Sequence, residues 1–429
     1  MILARSDIAQ GVSGSADRTG LMFQHQGRVF RAFRGREAAT IRRLLESPHL
    51  DRIFQSGLVA FHKSDLELEG YDLTVEAHRV PVVTYPSEWP TGALRDVALT
   101  FLNLVIALGD AGFGIKDGHP WNLLLERRTP VFVDLGSITD TPSASWLREF
   151  QRTLVVPIAL HHYGLHNVAE QVIADHRGLG ASRAFAGLVR RFFPPTLSGL
   201  NCRQDPIAVA RALERWLSRI NLSGRRMAWS FYDQHATSHA DLNSFSPKQR
   251  TVHRILGDTK PGTVLDLAAN AGWYSELSAS LGHRVIAADV DDAALTRMYG
   301  RLASSPLPIE CARLDVVWPK GSYGMGLLNS DPYARLRSDT VLALALLHHL
   351  AGRQGVTFSM FASIIDRLAI KRAVVEFVPS DDLHVRSWAL AAERWYTKAN
   401  LIEAFSTYFS RVEEYPSSPN PRCILVFDR

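Results

Sequence analysis

Residues 263–275 read TVLDLAANAGWYS, an apolar run that halts at Asp266 and gives way to small residues and a helix start. The first part suits a strand buried on both faces of a parallel sheet. The loop after it, Leu267 to Ser275, lets a ligand approach the backbone, and the helix predicted over Tyr274–Leu281 offers its positive N-terminus. A second strand, RVIAADV, ends in Asp289, 23 residues after Asp266. An acid at that distance is placed to accept hydrogen bonds from a ribose diol. The loop is not G-x-G-x-x-G; Gly272 is its one glycine. A pyrophosphate cofactor needs the tight glycine turn, so the loop favours a nucleoside without phosphates.

Working outward, Ala293–Ala303 reads as a helix and IECARLDV, TVLALALL and RAVVEFV as further strands with helical sequence between them. Residues from about 240 to 429 therefore predict a doubly wound, Rossmann-like α/β domain. Upstream, residues 221–248 are rich in Ser, His, Asp and Asn and predict a linker, which divides the chain into 1–220, 221–248 and 249–429. The first part predicts an α+β domain. Alternation on either side of Gln26-Gly27 gives a hairpin, Arg36–Glu46 an amphipathic helix, Leu94–Ala111 an apolar helix, Trp121–Leu125 and Val131–Val133 a strand pair. Helical pattern runs from Trp146 to about Leu217, broken at Pro194-Pro195.

The composition is that of a globular protein: 429 residues, 46% hydrophobic and 21% charged, which excludes disorder, collagen and coiled coil as the main state. The net charge of +5 comes without a long basic run, so nucleic acid is not indicated as a partner. Cys202, Cys311 and Cys423 lie far apart and form no C-x-x-C pair. The N-terminus lacks a signal-type apolar core, and no run reaches the ~18 uninterrupted apolar residues of a membrane span. A soluble cytoplasmic protein is expected.

The ordered stretches VLDLAANAGWYS, AADVD, ARLDV, TVLALALLHHL and AVVEFVPSDD resemble the class I S-adenosylmethionine-dependent methyltransferases. The resemblance implies S-adenosyl-L-methionine as cofactor. Asp266 and the loop Ala268, Asn270, Gly272 would contact its methionine part, Asp289 its ribose hydroxyls and Asp315 its adenine amino group. The family often has glycine where this loop has alanine. The plain alternative is that Asp266 and Asp289 are ordinary strand-end acids. Methyl transfer asks the protein to orient the acceptor and, for a hydroxyl or amine, to remove a proton. His348 and His349, read as ending the fourth strand, are candidate bases; either one alone can instead cap a turn. Glu376, ending the fifth strand, and Asp381 and Asp382 are candidates to shape the acceptor pocket or plain loop charges. His348, His349 and Glu376 are metal-ligand types, but no spacing motif supports a metal and none is expected.

In the first domain, Lys116 to Asn122 carries Asp-x-x-x-x-Asn, and Val131 to Gly136 has the form strand, Asp, Gly. The pair resembles the catalytic and metal-binding loops of protein kinases and small-molecule phosphotransferases, which makes Asp117, Asn122 and Asp134 the matching positions and Mg-ATP a candidate ligand. Arg31 stands where a phosphate-binding Lys is expected, with Glu37 as its helix partner, and no G-x-G-x-x-G precedes the hairpin. Three readings stay open: a degenerate kinase-like scaffold, an active phosphotransferase, or chance. TYPSEW, GIKDGHPWNLLL, PVFVDLGSI and FSTYFSRVEEYPSSPNPRCILVF, with the motifs above, are similar to a two-part bacterial family of NoeA-like proteins. That resemblance implies a kinase-like front, a methyltransferase and an acceptor that is a small molecule or glycan. Trp229, Phe231 and Tyr232 in the linker are candidates to lid that pocket or to pack domains together.

Overall fold

The computed structural model describes residues 1–10, 20–174, 197, 199–227, 238–239, 241–320, 330–383 and 385–429. Trp229, Phe231, Tyr232 and the Pro194-Pro195 break lie outside the described residues. Two compact units emerge, Met1–Arg225 and, in the main, Arg226–Gly321 with Asp331–Arg429.

In the N-terminal unit, β1 (Ala9–Gln10), β2 (Gly20–His25), β3 (Arg28–Phe33), β4 (Phe61–Lys63) and β5 (Leu73–Ala77) form an antiparallel sheet in the order β1-β2-β3-β5-β4. The β2–β3 hairpin turns at Gln26 and Gly27, both at positive φ, as a two-residue hairpin turn requires. Phe23 and Phe30 face each other across it and stack at 5.1 Å. Helix α1 (Gly35–Leu45) follows β3, and α2 (Thr91–Asp110) is the core helix. By length and composition α2 is the one described helix that would suffice to cross a membrane, yet 56% of its apolar window is buried inside the protein. The packing of Leu94, Phe101, Leu102 and Leu108 in the core gives the physical reason its apolar face exists. The first strand of the pair, β6 (Leu123–Glu126), starts two residues later than its sequence suggests, because Pro120 starts a short 3-10 turn over Trp121 and Asn122, and the second, β7 (Thr129–Phe132), starts two residues earlier. A helix α3 (Pro206–Leu217) packs on α2.

The C-terminal unit opens with α4 (Pro247–Gly257), whose start is fixed by a capping box between Ser246 and Gln249. Then come β8 (Thr263–Leu267), α5 (Trp273–Ser280), β9 (Arg284–Asp289), α6 (Asp292–Arg301) and β10 (Ile309–Arg313). They are followed by β11 (Ser338–Ala343), α7 (Leu347–Gln354), α8 (Phe358–Leu368), β12 (Ala369–Phe377), α9 (Lys398–Ser406), β13 (Arg411–Pro416) and β14 (Cys423–Asp428). The sheet order is β10-β9-β8-β11-β12-β14-β13. The first five strands pair in parallel; β14 runs antiparallel to both β12 and β13. The strand order reverses between β8 and β11, which is where an open α/β sheet leaves its crevice at the carboxyl ends. The doubly wound expectation thus gains a closing antiparallel hairpin that strand-helix alternation does not announce.

Candidate functional site

At the carboxyl end of β8, Asp266 is 2% exposed and accepts a hydrogen bond from the Ser275 hydroxyl at 2.6 Å. Burial pushes its carboxyl up to about 7, aided by the nearby Asp289 and opposed by Ser275 and Lys248. The loop that follows is wound in the left-handed region at three alternate residues: Ala268 at φ 57°, Asn270 at 48° and Gly272 at 85°. Alanine and asparagine there cost roughly 1–2 kcal/mol each, so the loop stores strain at Ala268 and Asn270. At Gly272 a Cβ would stand 2.5 Å from Sδ of the buried Met298, which would have to move, and the left-handed φ adds strain.

Asp289 ends β9 and is 8% exposed. Its Oδ2 accepts the Asn270 N–H at 2.7 Å and its Oδ1 the Asp291 N–H at 2.8 Å. One carboxylate therefore ties the β8 loop to the β9 turn, while burial raises its pKa against those two bonds. A carboxylate offers about four acceptor sites, so capacity remains for a ligand. Asp315 lies two residues beyond β10; its Oδ1 takes the N–H groups of Val317 and Trp318 at 3.0 and 2.9 Å, and the Trp318 ring is 75% exposed.

His348 and His349 do not end the fourth strand. They occupy the first turn of α7, since β11 stops at Ala343 and Ala345 turns at φ 52°. Their rings stand 4.1 Å apart, and Trp388 lies 5.8 and 5.3 Å from them. Among the described residues His348 Nδ1 is buried with no partner. Burial first, then His349 and Arg422, lowers the His348 imidazole to about 3; burial, then Arg353 and Arg422, lowers His349 to about 4. Both are neutral at neutral pH. Glu376, the penultimate residue of β12, is fully buried and accepts hydrogen bonds from Lys248 Nζ and the Ser417 hydroxyl, each at 2.6 Å. Of the two loop acids, Asp381 is exposed, whereas Asp382 is 1% exposed and held bidentately by Arg422 at 2.8 and 3.0 Å. Sequence reasoning missed Lys248, Trp388 and Arg422; of these, only the Ser246-Pro247 helix start marks Lys248's neighbourhood. No group of three or more His, Cys, Asp or Glu able to hold a metal occurs among the described residues.

In the N-terminal unit, Arg31 on β3 meets Asp134 at 2.6 Å, and Asp134 also accepts the Gly136 N–H at 3.1 Å. The Ser137 hydroxyl lies 2.9 Å from Asp117 Oδ2 and also bonds Asp134. Asn122 is partly buried, and its carbonyl accepts the Val133 N–H at 2.9 Å, which brings the two motifs side by side. Glu37 on α1 is partly buried. Glu149 accepts the Gly118 N–H at 3.0 Å, its pKa raised by burial and by Asp117.

A parallel sheet closed by an antiparallel seventh strand, a strained loop after the central strand, and a buried acid ending the next define the class of the C-terminal unit: a doubly wound α/β domain. No protein-family model matches the chain. It is 26% identical to the nodulation protein NoeA of Rhizobium meliloti (strain 1021), over 97% of this chain and 96% of that protein. Similar solved structures include the magnesium protoporphyrin IX methyltransferase ChlM of Synechocystis PCC 6803 with S-adenosylmethionine bound. It is 16% identical, with 42% of this chain and 78% of that one covered and a TM-score of 0.28. The bifunctional kinase–methyltransferase WbdD is 18% identical over 42% of this chain and 37% of its own, with a TM-score of 0.32. Likenesses this faint add nothing to the sheet order itself.

Proposed function

We propose that the protein is a cytoplasmic S-adenosylmethionine-dependent methyltransferase acting on an oxygen or nitrogen of a small molecule or glycan. The observation that carries the reading is Asp289, a buried strand-end carboxylate that holds the β8 loop by the Asn270 N–H and retains lone pairs for a ribose diol. The residues present fit the cofactor. A buried Asp266 whose ionisation lacks a full cationic partner suits an α-ammonium group. The Ala268–Gly272 backbone brings amides, not side chains, to the ligand. Asp315 keeps Oδ2 for an adenine amino group. When bound, the cofactor supplies a sulfonium methyl with its own leaving group. His348 or His349, neutral and buried beside Trp388, accepts the acceptor's proton as the new bond forms. Glu376 shapes the pocket floor with its charge held by Lys248. Calorimetry with S-adenosylhomocysteine tests the reading: wild type binds and Asp289→Ala loses most of the affinity, whereas equal binding by both contradicts it.

For the N-terminal unit we infer a kinase-like module, supported by the sheet order with α1 after β3 and by the approach of Arg31, Asp117 and Asp134. Because a guanidinium already occupies Asp134, a degenerate scaffold is favoured. The alternative is a bifunctional enzyme whose N-terminal unit binds Mg-ATP through Asn122 and Asp134 and phosphorylates the acceptor with Asp117 as base.

A further inference from the structure

Lys248 has no place in the sequence reading, yet it stands at the centre of the C-terminal unit's charges. The capping box fixes α4 so that Lys248 is its second residue. The Lys248 N–H to the Ser418 hydroxyl (3.4 Å) and the Thr251 hydroxyl to the Pro416 carbonyl (2.8 Å) fasten the helix to the segment after β13. Its ammonium is thereby delivered to the carboxyl end of β12, 2.6 Å from Glu376 and 5.4 Å from the centre of the Tyr274 ring, with the side chain 13% exposed.

An ammonium carries three N–H donors. One goes to Glu376, and a nearly buried cation with donors left over calls for a further acceptor. The charges around it say which kind. Lys248 stands over the ring of Tyr274, the residue before the Ser275 that donates to Asp266, so it lies beside the loop that follows β8. Three buried carboxyls, Asp266, Asp289 and Glu376, share this end of the sheet. A phosphate would meet all three acids and be repelled. A neutral nucleoside would leave Lys248 unused. An α-amino acid zwitterion matches the pattern, cation toward the acids and anion toward the lysine.

We propose that Lys248 receives the α-carboxylate of the bound nucleoside amino acid, opposite the Asp266 carboxyl that receives its ammonium. Glu376 then serves as a positioning residue that keeps the ammonium aimed into the crevice. The inference rests on the cofactor reading and adds a determinant of specificity: amino-acid-bearing nucleosides are selected over nucleotides by one lysine from the helix preceding the sheet.

The test is a binding cycle by calorimetry. The ligands are S-adenosylhomocysteine, its decarboxylated counterpart and 5′-methylthioadenosine. The proteins are wild type, Lys248→Met, and Lys248→Met/Glu376→Gln, which does not leave Glu376 as a buried carboxylate stripped of its cation. Wild type should prefer S-adenosylhomocysteine over the decarboxylated ligand by ~10- to 100-fold, the range for a charge-assisted pair. The double variant should bind the two within about threefold and hold 5′-methylthioadenosine as wild type does. A wild-type preference that survives in the double variant overturns the role of Lys248, and so does equal binding of both ligands by wild type. Wild type that binds none of the three removes the cofactor reading itself, so the two failures are told apart.

Discussion

If Asp266 receives the cofactor's ammonium as proposed, the buried acid at the end of β8 should make cofactor affinity pH-dependent in a range where exposed carboxylates are silent. Asp266 holds its proton up to about 7 because burial disfavours the charge. Pairing with a ligand ammonium needs the ionised form, so the observed affinity is the intrinsic one divided by one plus the ratio of protonated to ionised acid. For that pKa, affinity for S-adenosylhomocysteine falls roughly 25-fold between pH 7.5 and 5.5, about 2 kcal/mol, and about 0.9 proton leaves per ligand bound at pH 6. Calorimetry in buffers of different ionisation enthalpy measures both quantities. Asp266→Asn should bind weakly at every pH with no proton release. The stability of the free protein moves in the opposite sense. A carboxyl raised on folding contributes stability that is full below its unfolded pKa and is lost as pH rises through 7. Asp266→Asn therefore stabilises the apoprotein at pH 8, by up to roughly 4 kcal/mol, and does little at pH 4. A flat affinity profile in wild type, or a variant that shares its slope, would refute the assignment of Asp266 as an ammonium acceptor.

Gly272→Ala places a Cβ against Met298 at a left-handed φ and should cost roughly 2–3 kcal/mol, read as a fall of several degrees in Tm; a loss under about 0.5 kcal/mol would mean the loop is not held where it is described. Replacing the base by alanine, His348 or His349, should leave S-adenosylhomocysteine affinity within a few-fold and lower labelled-methyl transfer to a cell extract by ~10²–10⁴. Because the imidazoles are lowered to about 3 and 4, transfer at saturating cofactor should hold steady as pH drops through 6.5 and fail only near 4; an acid limb at 6.5, or full activity in both single variants and the double, would retire the pair. Mg-ATP should leave the Tm of wild type unmoved if Arg31 occupies Asp134; a magnesium-dependent rise that disappears in Asp134→Ala would establish the phosphotransferase alternative.

What the sequence made legible was the set of strands that end in acids. TVLDL and RVIAAD are apolar runs of strand length cut off by a charge, and the alternation with helices leaves few topologies. The imidazole pair was misplaced for the same reason that its strand was found. In TVLALALLHHL the apolar run continues through β11, its turn and α7, so periodicity offers no boundary, and the break at Ala345 is made by a backbone angle that alanine does not advertise. Ala268 and Asn270 hide the loop's left-handed path in the same way. Asp382 looked like a solvated loop charge because its partner, Arg422, is 40 residues away. Lys248 was invisible on similar grounds, 128 residues from Glu376.

These long-range pairs share a logic. The strand-end acids Asp266 and Asp289 are raised toward neutrality by burial and lean on a hydroxyl and on backbone amides, whereas Glu376 and Asp382 each have a cation in contact. The carboxyl ends of β8 and β9 thus keep carboxyls without a cation in contact, and the side of β12 and α7 is balanced internally beside two neutral imidazoles. Removing one partner of a buried pair costs about 3–5 kcal/mol, so the side of β12 and α7 is built to stay in place. An acid with no such cation, joined to a loop in strained conformations, is instead poised to gain most from a ligand that brings its own positive charge. A ligand carrying a positive charge at its amino end and another at sulfur meets that asymmetry, and a neutral or anionic one does not.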